Sequence, residues 1–375
     1  MAEVDAVVID MALAEVLRGG EFSYAEDVET NVSVILRRIG FHGIAGLLGD
    51  AASDRLPPIL RNEVRHIAVS QAFWEVQHVR RLRPLLDALD ECGARPLIFK
   101  GTALAYTHYV DESTRSRGDS DILVRESAFE AACHIVSSFG FTAPISGLSA
   151  QALGAKSFSL KDEHGFRHEI DLHSRINSSP VIARLFPHDE LLSRSEPILK
   201  IGSGARALGP ADALLVACFH RLIHSESPYH VDGRIYRSSD RLIWLYDIKL
   251  LRKTLTGLEN QDLLKLAQEK GLSAVLADGL AAADQWFDPD GGDLIRDLKT
   301  PREKTELPYR YFNGGPARRW MLDFAATERK GRALKDLLIP SREHMEAKYG
   351  PRLLKTPALA YIWRALHGLY KAALR

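Results

Sequence analysis

The sequence predicts an α+β protein in which a compact mixed unit of strands and helices lies between two helical regions. Three observations predict it. Apolar residues recur at three- and four-residue spacing up to about Glu91 and again beyond residue 206. Between those regions, short apolar runs end at glycines and alternate with amphipathic stretches. Two segments, DSDILV and HEIDLH, alternate acidic and apolar residues with the period of a strand. The expected units are an N-terminal helical region at 1–93, the mixed core at 94–205 and a C-terminal helical region at 206–375, since 375 residues exceed the usual size of one core.

In the first region the clearest helix is RNEVRHIAVSQAFWEVQHVRRLRPLLDALDE, with Val64, Ile67, Ala68, Phe73, Val76, Val79, Leu82 and Leu86 at helical spacing. After Gly93, PLIFK reads as a strand, Gly101 as a tight turn and TALAYTHYV as a helix. DILV, from Asp121 to Val124, is the next strand, and RESAFEAACHIVSSFGF is an amphipathic helix ending near Gly140. SFSLKDEHGFRHEIDLHSRI reads as two strands joined by a turn at Asp162 to Gly165. LKIGSGARALGP is a turn between short strands. ADALLVACFHRLIHS and SSDRLIWLYDIKLLRKTL are amphipathic helices, and everything after residue 206 is expected to be helical, with Pro/Gly-rich interruptions near Phe287 to Gly292 and Asn313 to Pro316.

Lys plus Arg and Asp plus Glu both number 49, so no global field draws the chain to nucleic acid or an anionic membrane. Cys92, Cys133 and Cys218 are far apart, which argues against a disulfide framework or a cysteine-rich zinc site and favours a reducing, cytoplasmic setting. The N-terminus carries acids where a signal peptide needs bases, and no apolar run approaches the roughly 18 to 20 residues of a membrane span. A soluble protein is expected.

Asp119 and Asp121 share one strand face, and Asp171 sits on a later strand. Such acids suit divalent cations, which prefer oxygen ligands; without a cation they repel one another and raise each other's pKa. Taken alone, an Asp-x-Asp pair is more often an ordinary solvated pair. The turn Lys100-Gly101-Thr102 adds to it, because a strand that ends there and opens a helix presents free amides and the positive end of the helix dipole to an anion. Together they describe a pocket for a nucleotide polyphosphate.

The order strand, Gly-Thr, helix, Asp119-x-Asp121, then Asp171 resembles the nucleotidyltransferase fold of the DNA polymerase β superfamily. More closely, FKGTALAYTHY, RSRGDSDILV, HEIDLHSRI, ALGPADALLVACFHRLIHS and RLIWLYDIKLL resemble a family of bacterial nucleotidyltransferases, from about Leu97 to the C-terminal IPSREHMEAKYG. The resemblance implies a mixed-sheet core, Asp119 and Asp121 as ligands of Mg2+ (or Mn2+), and Asp171 as the third acid that helps activate the acceptor. It also implies Gly101 and Thr102 as the phosphate-binding turn. Thr102 stands where Ser or Gly is usual, and Gly118 follows Gly101 by 17 positions, a longer spacer than in minimal members.

Lys100, Arg115 and Arg117 are candidate phosphate counter-charges, with Arg115 favoured over Arg117. Glu169 and His173 share the face of Asp171 and are candidate partners of the ligands. His220 and His224 are spaced for joint zinc ligation, but no third ligand is visible and a packed or pocket-lining role is favoured. GSGARALG lacks the G-x-G-x-x-G spacing and no Walker A sequence occurs, which disfavours Rossmann and P-loop chemistry. The expected activity is Mg2+-dependent transfer of a nucleoside monophosphate from an NTP such as ATP to a hydroxyl-type acceptor, a small molecule or a protein, rather than a long nucleic acid. The competing readings are a nucleotide-binding regulator or scaffold without transfer, and phosphoryl transfer to a peptide or small molecule.

Overall fold

Helical spacing becomes helix throughout the N-terminal part: α1 (Ala6–Arg18), α2 (Val28–His42), α3 (Ala45–Gly49) and the 34-residue α4 (Pro58–Glu91) precede the sheet. The computed structural model describes residues 6–49, 53–144, 154–227, 229–231, 234–236, 240–288, 305–327 and 331. β1 (Leu97–Phe99) runs into α5 (Lys100–Thr107), and β2 (Asp119–Leu123) leads to α6 (Phe129–Ser138). β3 (Ala155–Lys161) and β4 (Arg167–His173) form a hairpin, its turn bridged by the Asp162 carboxylate accepting from the His164 and Phe166 amides. Next come α7 (Pro180–Ala183), α8 (His188–Ser193), the two-residue strands β5 (Glu196–Pro197) and β6 (Arg206–Ala207), and α9 (Pro210–Glu226). β7 (Tyr229–Val231), β8 (Arg234–Tyr236), α10 (Leu242–Thr254), α11 (Gly257–Lys270), α12 (Ser273–Phe287), α13 (Leu307–Phe312) and α14 (Gly315–Ala326) complete the described elements.

The central sheet has the order β3-β4-β2-β1-β6-β5. It is mixed: β2 pairs parallel with β4 and β1 parallel with β6, while the other neighbours are antiparallel. Helices flank it on both faces, which makes the protein α+β. One face carries Ile98, Ile122, Ile170, Leu172 and Phe158 against Leu82, Leu85, Leu86 and Leu89 of α4 and Phe129, Ala132 and Val136 of α6. Leu97, Phe99 and Leu123 belong to the other core, shared by N-terminal residues such as Ile9 and Ile35 and C-terminal ones such as Leu214, Leu245 and Leu276. Helices before and after the sheet therefore bury apolar surface together. Each such side chain fully withdrawn from water contributes about 1.5–3 kcal/mol.

Some expectations shift. β7 and β8 pair antiparallel within the stretch expected to be wholly helical. Their sequences, YHV and RIY, flank Asp232-Gly233, a dipeptide favoured in tight hairpins, and aromatic and β-branched residues favour strands. β6 lies just past residue 205 yet joins the central sheet beside β1. On α4, Ile67, Phe73 and Val76 are exposed while Trp74 and His78 are buried. This helix changes partners along its length, from α3 to α6, so its inward face rotates. The IPSREHMEAKYG segment and residues 289–292 of the Pro/Gly-rich stretch lie outside the described residues. Among the described residues no helix is long and apolar enough to cross a membrane.

Candidate active site

The site begins with the parallel pairing of β2 and β4. Its register sets Asp119 opposite Glu169, Asp121 opposite Asp171 and Leu123 opposite His173. Because alternate residues of a strand point to one face, Asp119, Asp121, Glu169, Asp171 and His173 share a face. Ligand atoms of Asp121, Asp171 and His173 all lie within 4.8 Å of one another. Two carboxylates and an imidazole are a donor set that divalent cations accept. Asp119 is not part of this tight group. It stands on the opposite side of Asp121 from His173 along the strand face, close enough to feel both other acids.

The electrostatics of the acids differ sharply. Burial, followed by the Asp121 and Asp171 carboxylates, pushes the Asp119 carboxyl up to about 6, against the pull of Lys100 and Arg115. Burial also acts against an ionised Asp121. Lys100 and His173 outweigh it and hold that carboxyl well below the usual range. The contacts are direct: Asp121 Oδ1 accepts from Lys100 Nζ at 2.7 Å and pairs with His173 Nε2 at 2.9 Å. Burial opposes the Lys100 charge in turn, but Asp121 and then Asp119 and Asp171 prevail and its pKa is raised.

Lys100 reaches Asp121 through an unusual backbone. It opens α5 with φ at 56°, a left-handed conformation that costs a non-glycine residue roughly 1–2 kcal/mol. No side chain caps α5, so its first-turn amides lack a capping acceptor, and Lys100 at its start lines the cavity. Gly101 lines that cavity, and a Cβ there would meet Arg117 Cδ at 3.3 Å and Arg115 Cζ at 3.6 Å. The Thr102 side chain turns away: its hydroxyl contacts Ser120 Oγ at 2.7 Å and accepts from Arg117 Nε at 2.9 Å inside the protein.

The two arginines are tied into the fold. Arg115 donates from Nε and Nη2 to Asp247 of α10 at 2.9 and 2.7 Å, and from Nη1 to the Ser116 carbonyl at 2.8 Å. Tyr109 donates to the same Asp247 carboxylate at 2.7 Å. Arg117 donates from Nη2 to Glu75 at 2.7 Å, and the Tyr106 hydroxyl donates to Glu75 at 2.6 Å. Both guanidinium groups border the cavity, yet the best directions of their donors are occupied by protein.

Behind β2 runs a buried polar chain that alternation makes possible, since Ser120 points opposite to its two aspartate neighbours. Ser120 Oγ meets His78 Nε2 at 2.7 Å, His78 Nδ1 meets His168 Nδ1 at 3.2 Å, and His168 Nε2 meets Asp162 Oδ2 at 3.0 Å. Burial and the Arg117 charge hold His78 neutral, well below the usual histidine range. The Thr102 hydroxyl, 2.7 Å from Ser120 Oγ, joins the other end of this chain to α5. Trp74 stacks on His78 with centroids 4.4 Å apart and donates its indole N–H to the Arg167 carbonyl at 2.9 Å.

The acids open into a cavity of about 910 Å³. One wall is α9 and α10, through Val216, His220, His224, Trp244 and Asp247. His224 stacks on Trp244 at 5.0 Å, and its Nε2 lies 2.9 Å from His220 Nε2. Burial and the Lys100 charge hold both rings neutral, His224 at about 4. The sequence pattern marked the acids, Lys100 and Gly101 as bordering one pocket and gave the histidine pair a packed or pocket-lining role; the cavity lining includes them all. The pattern did not mark Asp247, Glu75, His78 or Trp74, whose partners lie 31 to 138 positions away. His168 was findable, because HEIDLH puts it on the apolar face with Ile170 and Leu172.

No curated protein sequence matches the chain. The model of the family described as "Uncharacterised nucleotidyltransferase" matches residues 29–288, from α2 to the end of α12, and so takes in the whole sheet and both walls of the cavity. With most of its length in that match, and with acids gathered on neighbouring strands beside the open first turn of a helix, the chain belongs to this nucleotidyltransferase family.

Proposed function

We propose that the cavity binds an NTP and moves its nucleoside monophosphate to a hydroxyl-type acceptor, releasing pyrophosphate. The observation that carries this reading is the in-register pairing of β2 with β4, which sets Asp119, Asp121 and Asp171 on one face beside the uncapped start of α5. These carboxylates would hold a divalent cation, Mg2+ in the first instance, and the ion would supply positive charge against that developing on the phosphates. The first amides of α5 receive phosphate oxygens, and Gly101 lets them approach the backbone. Lys100 supplies positive charge to the same oxygens from the cavity wall. Arg115 and Arg117 act through their field and by holding the β2 approach to α10 and α4.

The acceptor oxygen attacks the α-phosphorus in line, and its proton passes to the Asp171 carboxylate. The bond from that phosphorus to the bridging oxygen breaks, and pyrophosphate leaves with the electron pair. α9 and α10, beyond residue 206, wall the acceptor side of the cleft and select what enters. The test is incubation with each NTP and Mg2+ against a panel of hydroxyl-bearing small molecules and proteins, reading pyrophosphate and added mass. The expected product gains a nucleoside monophosphate, and the gain disappears in Asp119→Asn and Asp121→Asn. Addition of phosphate alone, nucleotide binding with no transfer to any acceptor, or transfer undiminished in both variants would overturn the proposal.

A further inference from the structure

We infer that His173 is itself a cation ligand, through Nε2, and that its nitrogen gives the site a preference for a transition dication such as Mn2+ over Mg2+. The inference rests on the metal-dependent reading above and adds a ligand to its three acids. Three observations carry it. His173 Nε2 and Asp121 Oδ1 are 2.9 Å apart. Bonds of ~2.1 Å to an octahedral ion put neighbouring ligand atoms ~3.0 Å apart, so one cation can take both without moving either.

The second observation is that Asp171 completes the set: its carboxylate and the other two ligand atoms fall within 4.8 Å, a span that three ligands of a single ion occupy. The third is the Lys100 ammonium, 2.7 Å from the same Asp121 oxygen, which shows that this spot favours positive charge and stands in for the dication. The ring is oriented for the role. Register puts His173 on the acid face, and Phe99 packs edge-on against it at 5.2 Å, which leaves Nε2 turned to the carboxylates. Mg2+ is held through oxygen donors, whereas first-row transition ions also take imidazole nitrogen; Mn2+ shares the carboxylate preference of Mg2+ but tolerates a nitrogen beside it better, so one imidazole in the set tilts affinity away from Mg2+. Asp119, on the far side of Asp121, leaves an all-oxygen edge for a second ion.

The experiment loads the full chain with Mn2+, with and without a non-hydrolysable ATP analogue, and records pulsed EPR for nitrogen coupling to the metal. Coupling of directly bound imidazole is expected in the wild type and absent in His173→Ala. His173→Asp keeps an anionic oxygen donor in place and guards against a variant that fails to fold. Competition titrations should give a Mn2+ over Mg2+ preference of tenfold or more in the wild type, falling toward parity in His173→Asp. Mn2+ bound without nitrogen coupling, or a preference unchanged in His173→Asp, overturns the inference and leaves the transfer reading standing. No bound dication under either condition overturns both.

Discussion

Replacing Asp119 by asparagine should make the metal-free protein more stable at neutral pH. The Asp119 carboxyl rises from 3.8 to about 6 because folding buries it and sets it near Asp121 and Asp171. A carboxyl whose pKa is raised on folding takes up a proton as the chain folds. Its contribution is most favourable below pH 3.8 and is lost as pH climbs through about 6. At about 1.4 kcal/mol per tenfold change in proton affinity, the full cost above pH 6 reaches about 3 kcal/mol. Asparagine nearly keeps the shape and cannot ionise, so the variant is relieved of that cost.

The assay is urea and thermal unfolding in EDTA at pH 7.5 and pH 5. The variant should gain about 3 kcal/mol at the higher pH and roughly half of that at pH 5. For 375 residues the larger gain corresponds to about 4 °C in Tm, from an unfolding entropy near 2.1 cal/mol/K per residue. Saturating divalent cation should narrow the difference, because it compensates the wild-type carboxylates. A variant less stable than wild type at pH 7.5, or a gain equal at both pH values, would refute the reasoning.

Other perturbations have equally definite outcomes. Lys100→Met leaves Asp121 without its ammonium, so isothermal titration should give a dication affinity on the order of tenfold tighter, matching the ~1.5–3 kcal/mol of a charged hydrogen bond, and a weaker affinity for NTP. Arg115→Ala strands a buried Asp247 and should cost about 3–5 kcal/mol in urea unfolding, with Arg115→Ala/Asp247→Ala recovering part of the loss. His78→Ala breaks the chain behind β2 and should cost about 2–4 kcal/mol, with a smaller additional loss when Ser120→Ala is combined with it, since the two share one hydrogen bond. Gly101→Ala adds a methyl 3.3 Å from Arg117 Cδ at the cavity lining; nucleotide titration should weaken more than unfolding midpoints shift.

Much of this was legible in residues two or four apart. Alternation in DSDILV and HEIDLH identified the acid faces, and KGT identified the strand that turns into a helix, because these depend on neighbours along the chain. The β7–β8 hairpin escaped notice for want of length: three residues a side make too short a run to oppose the helical pattern around it. Arg115 was read as reaching for phosphate because nothing near it in the sequence announces Asp247, 132 positions on.

By itself, the sequence determined which side chains share a strand face, that a helix follows the first strand of the sheet, and that acids and a phosphate-suited turn occur in one stretch of chain; it began that helix at Thr102, and the structure begins it at Lys100. Only the tertiary structure decided that β2 and β4 run parallel with Asp121 opposite Asp171. It also decided that His173 joins those two acids more closely than Asp119 does, and that Lys100 occupies their charge. The reason is physical. Periodicity is set by local backbone geometry, whereas register, ion pairing and pKa depend on which distant segments are brought within a few ångström and how much water they exclude.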